Sequence, residues 1–173
     1  MKKKFIDYYM KVAELTASLS YAKRLQVGAV IVKADKMFPG YNGMPAGWEN
    51  NCEIKEYMDL DAGSWLSPEE IEERWPCTEL QGEFQDVVIR FNLTTKPEVL
   101  HAERNALAKI AKSTESSEDA VLFCTHAPCL ECAKSIYQSG IKTVYYRTMY
   151  RDSAGIEFLK QSNIDVHQYN DSI

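Results

Sequence analysis

The chain has 173 residues, 45% of them apolar and 26% charged, with a net charge of −5 and an isoelectric point near 5.3. The apolar share can fill one compact core, while the acidic balance excludes broad binding along a nucleic-acid backbone, which needs a basic surface to neutralise phosphates. No apolar run has the length of a membrane span, and Lys2–Lys4 lead into an amphipathic pattern and not a signal core, so a cytoplasmic location without a membrane partner is expected; five cysteines then suggest metal ligands and buried thiols more than disulfides.

Phe5–Leu19 reads as a helix with Phe5, Tyr9, Val12, Ala13, Thr16 and Leu19 near one face. Gln26–Lys33 is rich in β-branched residues and reads as a buried strand, with Lys36–Tyr41 returning antiparallel after a turn at Lys33–Asp35. Residues 43–100 are the least regular part. Within them, Ser67 before Pro68 and three residues ahead of Glu70 marks a helix start with a capping box, and the acidic run Glu69–Glu73 is its solvated face. Asp86–Phe91 reads as a short strand. Beyond it come a helix at His101–Lys112 with Ala102, Ala106, Leu107 and Ile110 inward, a strand at Ala120–Cys124, and a helix at Cys129–Ser139 closed by Gly140. A strand at Thr143–Tyr146, a helix at Ala154–Gln161 and a strand at Ile164–His167 complete the chain. Strands alternating with helices predict an α/β layer structure. The expected organisation is a single domain with a variable insertion at about 44–97.

The chemistry concentrates in two short motifs. His101-Ala102-Glu103 is followed, 26 positions after Glu103, by Cys129, with Pro128 before it and Cys132 three residues beyond. One imidazole and two thiolates suit zinc and leave a fourth tetrahedral position open, as a catalytic zinc requires. Cys129 and Cys132 share a face if both are helical, and the positive end of that helix favours thiolates. His101 and Glu103, two apart, can serve one site only if His101 stands at the start of its helix. Zinc lowers the pKa of a bound water to about 7. Glu103 can then take a proton, protonate a ring nitrogen and later deliver a proton to departing ammonia, which is the pattern and mechanism of zinc deaminases.

With these motifs in place, the sequence resembles the deoxycytidylate (dCMP) deaminases of the cytidine deaminase-like superfamily. The resemblance rests on Val27–Val32, on Gly40-Tyr41-Asn42-Gly43-Met44-Pro45, on His101–Ala106, and on Pro128–Lys134 with Ser139-Gly140-Ile141. The zinc motifs specify the superfamily, and the Gly-Tyr-Asn-Gly-Met-Pro stretch narrows it to this family, with a phage-like member as the nearest type. The resemblance implies a three-layer α/β/α sandwich with a mixed five-stranded sheet and hydrolysis of dCMP to dUMP and ammonia, supplying dUMP for dTMP synthesis. It further implies one catalytic Zn2+ per subunit and a homohexamer activated by dCTP and inhibited by dTTP, with Mg2+ accompanying the triphosphate effector. For a viral chain the compartment would be the host cytoplasm.

By the same resemblance Asn42 contacts the sugar, Ala102 and Thr125, His126 and Ala127 line the base pocket, and Tyr150 lies near the substrate. Arg24 and Gly43 fall where the family binds its effector; Gly28 permits either close approach of a nucleotide or close packing. Asn42 is also a plain turn residue in Asn-Gly, and Tyr150 a plain loop anchor. Arg24, Lys23, Lys112, Arg147 and Arg151 are candidate phosphate ligands. Some phage members hold a second, structural zinc through cysteines and histidines; here Cys52 and Cys77 have no histidine near them in sequence, and none is expected. Cys124 reads as a buried strand residue and His167 as surface. Two other classes remain open: a zinc deaminase of another cytosine nucleotide, nucleoside or base, and a non-catalytic nucleotide-binding regulator. The acidic charge disfavours a tRNA substrate, the histidine in place of a first cysteine disfavours a nucleoside, and an intact Glu103 disfavours a regulator.

Overall fold

The structure is a computed structural model and describes residues 1–59, 65–82 and 87–170. Its centre is a mixed sheet of five strands in the order β2-β1-β6-β7-β8. These are β1 (Gly28–Lys33), β2 (Lys36–Tyr41), β6 (Val121–His126), β7 (Thr143–Thr148) and β8 (Asp165–Gln168). β1 pairs antiparallel with β2 and β6, whereas β6, β7 and β8 run parallel. The helices α4 (Leu130–Gln138) and α5 (Ala154–Gln161) are the crossovers that parallel pairing demands.

Alternation along β1 sorts the layers. Ala29 and Ile31 face a core shared with Ala102, Ala106 and Ile110 of α3 (Ala102–Ala111), with Ala133 and Ile136 of α4, and with Ile156 and Leu159 of α5. Val30 and Val32 face the opposite side, where α1 (Lys3–Ala17) packs Tyr9, Met10 and Ala13 against Phe123. The result is the α/β/α sandwich that the resemblance implied. On the α1 side, the β7 and β8 register places Phe123, Tyr145 and His167 in line, with ring centroids 5.0 and 4.9 Å apart. Two glycines let helices approach the sheet closely. A Cβ at Gly28 would meet the Ala13 carbonyl oxygen of α1 at 2.0 Å, and one at Gly40 the Ala102 carbonyl oxygen of α3 at 2.3 Å.

The chain leaves this sandwich after Gly43 and returns at Leu100, where the two residues exchange backbone hydrogen bonds of 3.1 and 2.9 Å. Between these points lies a second, three-stranded antiparallel sheet, with β5 (Val87–Thr95) between β3 (Glu53–Tyr57) and β4 (Cys77–Gln81). It corrects the expectation of an irregular segment. β3 is mostly charged and β4 mostly polar, and both leave most of their residues exposed, so neither shows the apolar run that marks a buried strand. Asp86, the expected start of β5, lies outside the described residues. The helix α2 (Pro68–Arg74) has the predicted capping box, Ser67 and Glu70 each bonding the other's backbone N–H, and buries no side chain.

Other corrections are local. Phe5 and Leu19 are exposed, while Met10 and Ala17 join the buried face of α1. His101 and Cys129 are helix caps and not helical residues. β6 runs on past the expected end at Cys124 to His126, so Thr125 and His126 stand on the strand.

Candidate metal centre and active site

Two helix starts meet at the site. His101 caps α3 with extended backbone (φ −75°, ψ 148°), and Cys129 caps α4 in the same way (φ −68°, ψ 166°). The cap position explains how His101 and Glu103 serve one site: the backbone turns helical between them, so the two-residue spacing no longer sends them apart. Cys132 sits in the first turn of α4. The His101 Nδ1 lies 3.3 Å from the Cys132 Sγ and 3.7 Å from the Cys129 Sγ, and all three ligand atoms fall within 4.8 Å of one another. Zinc–nitrogen and zinc–sulfur bonds at a tetrahedral angle would set nitrogen and sulfur about 3.5 Å apart. The trio therefore fits a zinc ion without rearrangement, and among the described residues it is the group of His, Cys and acidic side chains so placed.

The electrostatics agree. The Cys129 thiol is held down at about 3, chiefly because Cys132 donates to it and then because His101 does. Cys132 is pushed up by that same bond and by burial, so without a metal one thiolate stands between a thiol and an imidazole raised above its ordinary value by its bond to Cys129. Two N-terminal helix ends reinforce the preference for thiolate.

Glu103, in the first turn of α3, is only 5% exposed, and desolvation raises its pKa above the ordinary carboxylate value. A carboxyl group in this state can hold a proton and release it within the same pH range, as a general acid–base must. Cys124 is fully buried on β6, and its thiol is raised well above the ordinary value by the same loss of water.

The site opens into a cleft of about 380 Å3, a size suited to a small-molecule ligand. His101, Glu103 and Cys129 line it, as do Ala102, His126 and Ala127. Asn42 and Tyr150 line it too, so most of the residues assigned to substrate by resemblance share one wall-bounded space. The Asn42 side chain also holds the local backbone. Its Oδ1 accepts from the Val27 N–H at 2.8 Å and its Nδ2 donates to the Leu25 carbonyl at 2.9 Å, which fixes the segment entering β1. Thr125 is not among the lining residues. Its buried hydroxyl accepts from the Gly28 N–H at 3.1 Å and lies 3.1 Å from the His126 Nδ1. His126 itself is half-buried, and burial lowers its pKa.

Of the candidate phosphate ligands, Arg24 and Arg151 reach the cleft. The Arg24 guanidinium donates to the Thr95 hydroxyl at 3.2 Å, and that of Arg151 lies 5.7 Å from the centre of the Tyr150 ring. Arg147 is paired with Glu14, and neither Lys23 nor Lys112 lines the cleft. Of the effector candidates, Gly28 is buried against α1 and Gly43 forms the bridge to Leu100. Sequence reasoning missed Glu53 and Thr95, which also line the cleft. No spacing distinguishes them; cross-strand pairing in the second sheet brings them there.

Comparison with known proteins places these features in a family. Residues 3–148 match the family model of the cytidine and deoxycytidylate deaminase zinc-binding region. The deoxycytidylate deaminase of Enterobacteria phage T4 is 32% identical over 170 residues, covering 91% of this chain and 86% of its own length. That of Schizosaccharomyces pombe is 30% identical over 94% of this chain, which spans only 43% of the yeast enzyme. Among solved structures, the dCMP deaminase of cyanophage S-TIM5 in complex with dCMP and dUMP superposes with a TM-score of 0.72 at 38% identity, covering 98% of this chain and 99% of that one.

Proposed function

The chain belongs to the cytidine and deoxycytidylate deaminase zinc-binding family, and from that premise we propose that it hydrolyses dCMP to dUMP and ammonia. The observation that carries the reading is the His101–Cys129–Cys132 trio with buried Glu103, of which His101, Cys129 and Glu103 line one cleft. A zinc ion held there supplies Lewis acidity toward water. Glu103 accepts one proton from the attacking water and delivers it to the ring nitrogen next to the reacting carbon; it then takes the second proton from the new hydroxyl on that carbon and passes it to the amine, which departs as ammonia. Its burial keeps bulk water from taking over this transfer. Ala102, His126 and Ala127 bound the base, Asn42 and Tyr150 the sugar side, and Arg24 and Arg151 are the guanidiniums available to the 5′-phosphate. Thr125 acts one step back, through His126.

The phage and cyanophage relatives support dCMP over other cytosine compounds, as do two arginines on the cleft wall, which a nucleoside substrate would not need. Ammonia release from dCMP, deoxycytidine, cytidine and dCTP tests the assignment. A kcat/KM for deoxycytidine equal to that for dCMP would overturn it.

The finer reading follows the resemblance: a single-domain, cytoplasmic enzyme supplying dUMP for dTMP synthesis, assembled as a homohexamer, activated by dCTP and inhibited by dTTP, with Mg2+ on the effector. Exposed apolar side chains on α1, such as Phe5 and Leu15, support self-association, and no described helix is long and apolar enough to cross a membrane. Control requires an effector that binds two enzyme states unequally. Rate curves against dCMP that coincide with and without dCTP or dTTP would remove that part of the reading, and sedimentation would test the hexamer.

A further inference from the structure

The second sheet delivers a carboxylate to the cleft. Glu53, the first residue of β3, is 4% exposed and lines the cleft. Its Oε1 accepts the backbone N–H groups of Lys23 at 2.8 Å and Arg24 at 3.2 Å, so one half of the carboxylate pins the turn that carries Arg24. Thr95, its cross-strand partner on β5, accepts from the Arg24 guanidinium. The other oxygen, Oε2, is buried and has no hydrogen-bond partner. A buried acceptor left unpaired carries a standing penalty, and a cleft tolerates it where the ligand brings the missing donor.

We propose that Glu53 is a specificity-determining residue that accepts a hydrogen bond from a hydroxyl of the substrate's sugar. The inference rests on the nucleotide reading above. An ionised carboxylate only accepts, so its partner must be a donor. A cytosine nucleotide offers three kinds of polar group. The exocyclic amine belongs at the trio and Glu103, where the C–N bond breaks. The phosphate is an anion that Glu53 repels and that Arg24 and Arg151 attract. The sugar hydroxyl is what remains, and in a 2′-deoxynucleotide the one sugar hydroxyl is the 3′-OH. Glu53 would thus reward substrates bearing a free 3′-OH, and the second sheet would be part of the substrate site instead of a peripheral decoration.

The test compares dCMP with 2′,3′-dideoxy-CMP. The wild-type enzyme should prefer dCMP by at least about tenfold in kcat/KM, the scale of a hydrogen bond to a charged group. Glu53→Gln keeps a carbonyl for the Lys23 and Arg24 N–H groups but turns the free acceptor into a donor. It should lower kcat/KM for dCMP by at least about tenfold, change that for the dideoxy substrate less than about threefold, and keep the wild-type zinc content and unfolding midpoint. Equal wild-type turnover of the two substrates overturns the inference whatever the variant does. A variant that slows both by one factor also overturns it, since that is the signature of a purely structural hold on the Arg24 turn. No turnover of dCMP by the wild-type enzyme overturns the proposed function, and this inference with it.

Discussion

Replacing Gly40 by alanine couples the packing of the sandwich to the chemistry of the cleft. The added Cβ would sit 2.3 Å from the Ala102 carbonyl oxygen and 2.4 Å from the Ala106 amide nitrogen. Both are backbone atoms of α3, so no side-chain rotation relieves the clash. Ordinary contact needs the helix to withdraw from β2 by about 1 Å. Overpacking of this kind costs about 1–3 kcal/mol, which for a chain of this length lowers the thermal midpoint by roughly 2–12 °C. α3 begins with Ala102 and Glu103 and is capped by His101, whereas Cys129 and Cys132 belong to α4 and its cap. The shift therefore moves the proposed proton carrier and one proposed ligand relative to the other two, and a misplacement of about 1 Å in a catalytic group costs on the order of 100-fold in rate. Thermal unfolding, zinc content and kcat for ammonia release measure the three consequences. Gly43→Ala is the packing control: its Cβ would meet the Tyr41 ring at an ordinary 3.8 Å, and its stability should stay within about 0.5 kcal/mol of the wild-type value. A Gly40→Ala protein with wild-type midpoint and kcat would refute the reasoning.

Three further outcomes are expected. Glu103→Gln should retain the fold and the zinc but lose at least ~100-fold in kcat, the range of general acid–base catalysis; near-wild-type turnover would remove Glu103 from the mechanism. Cys132→Ala should abolish stoichiometric zinc, and chelation of the wild-type protein should lower both its activity and its midpoint, because a bound metal stabilises only the folded state; a chelated protein with unchanged midpoint and activity would contradict the metal centre. Glu79 is held near 2 by hydrogen bonds from Lys55, Tyr57 and Gln81. As a depressed carboxylate, it contributes to the second sheet fully above the ordinary value of 4.5 and loses that contribution as pH falls through about 2. An NMR titration of its carboxyl carbon with a midpoint at the ordinary value would show that this cluster does not form.

Legibility in the sequence follows the range of the interactions involved. α5 is legible to the residue, and β2 and the capping box of α2 equally so, because apolar period, turn and cap signals are written within a few positions. The pattern finds α1 and its buried Tyr9, Ala13 and Thr16, but Phe5 reads as inside and Met10 passes unnoticed, since a helix face depends on where the sheet lies as well as on period. β3 and β4 are invisible, because their stability comes from pairing with β5 and from side chains that stay half in water. Among the candidate cations, Arg147 is taken by Glu14 and Arg24 reaches the cleft, a distinction no composition could make.

The candidate zinc trio and the proposed proton carrier are legible in the sequence itself. Only certain atoms bind zinc at a site with an open position, and His101, Cys129 and Cys132 carry such atoms, with Glu103 close by in sequence, at helix starts that local signals mark. Tertiary structure alone brought Glu53 and Thr95 into the cleft with them. Glu53 is one of 25 acidic residues, and nothing near it in the chain sets it apart. It becomes a cleft residue because β3 pairs with β5, because Gly43 and Leu100 return the chain to the sandwich, and because the Lys23–Arg24 turn closes over its carboxylate. Metal-ligand chemistry is a property of side-chain atoms and short spacings, whereas substrate recognition is a property of surfaces assembled from segments far apart in the chain.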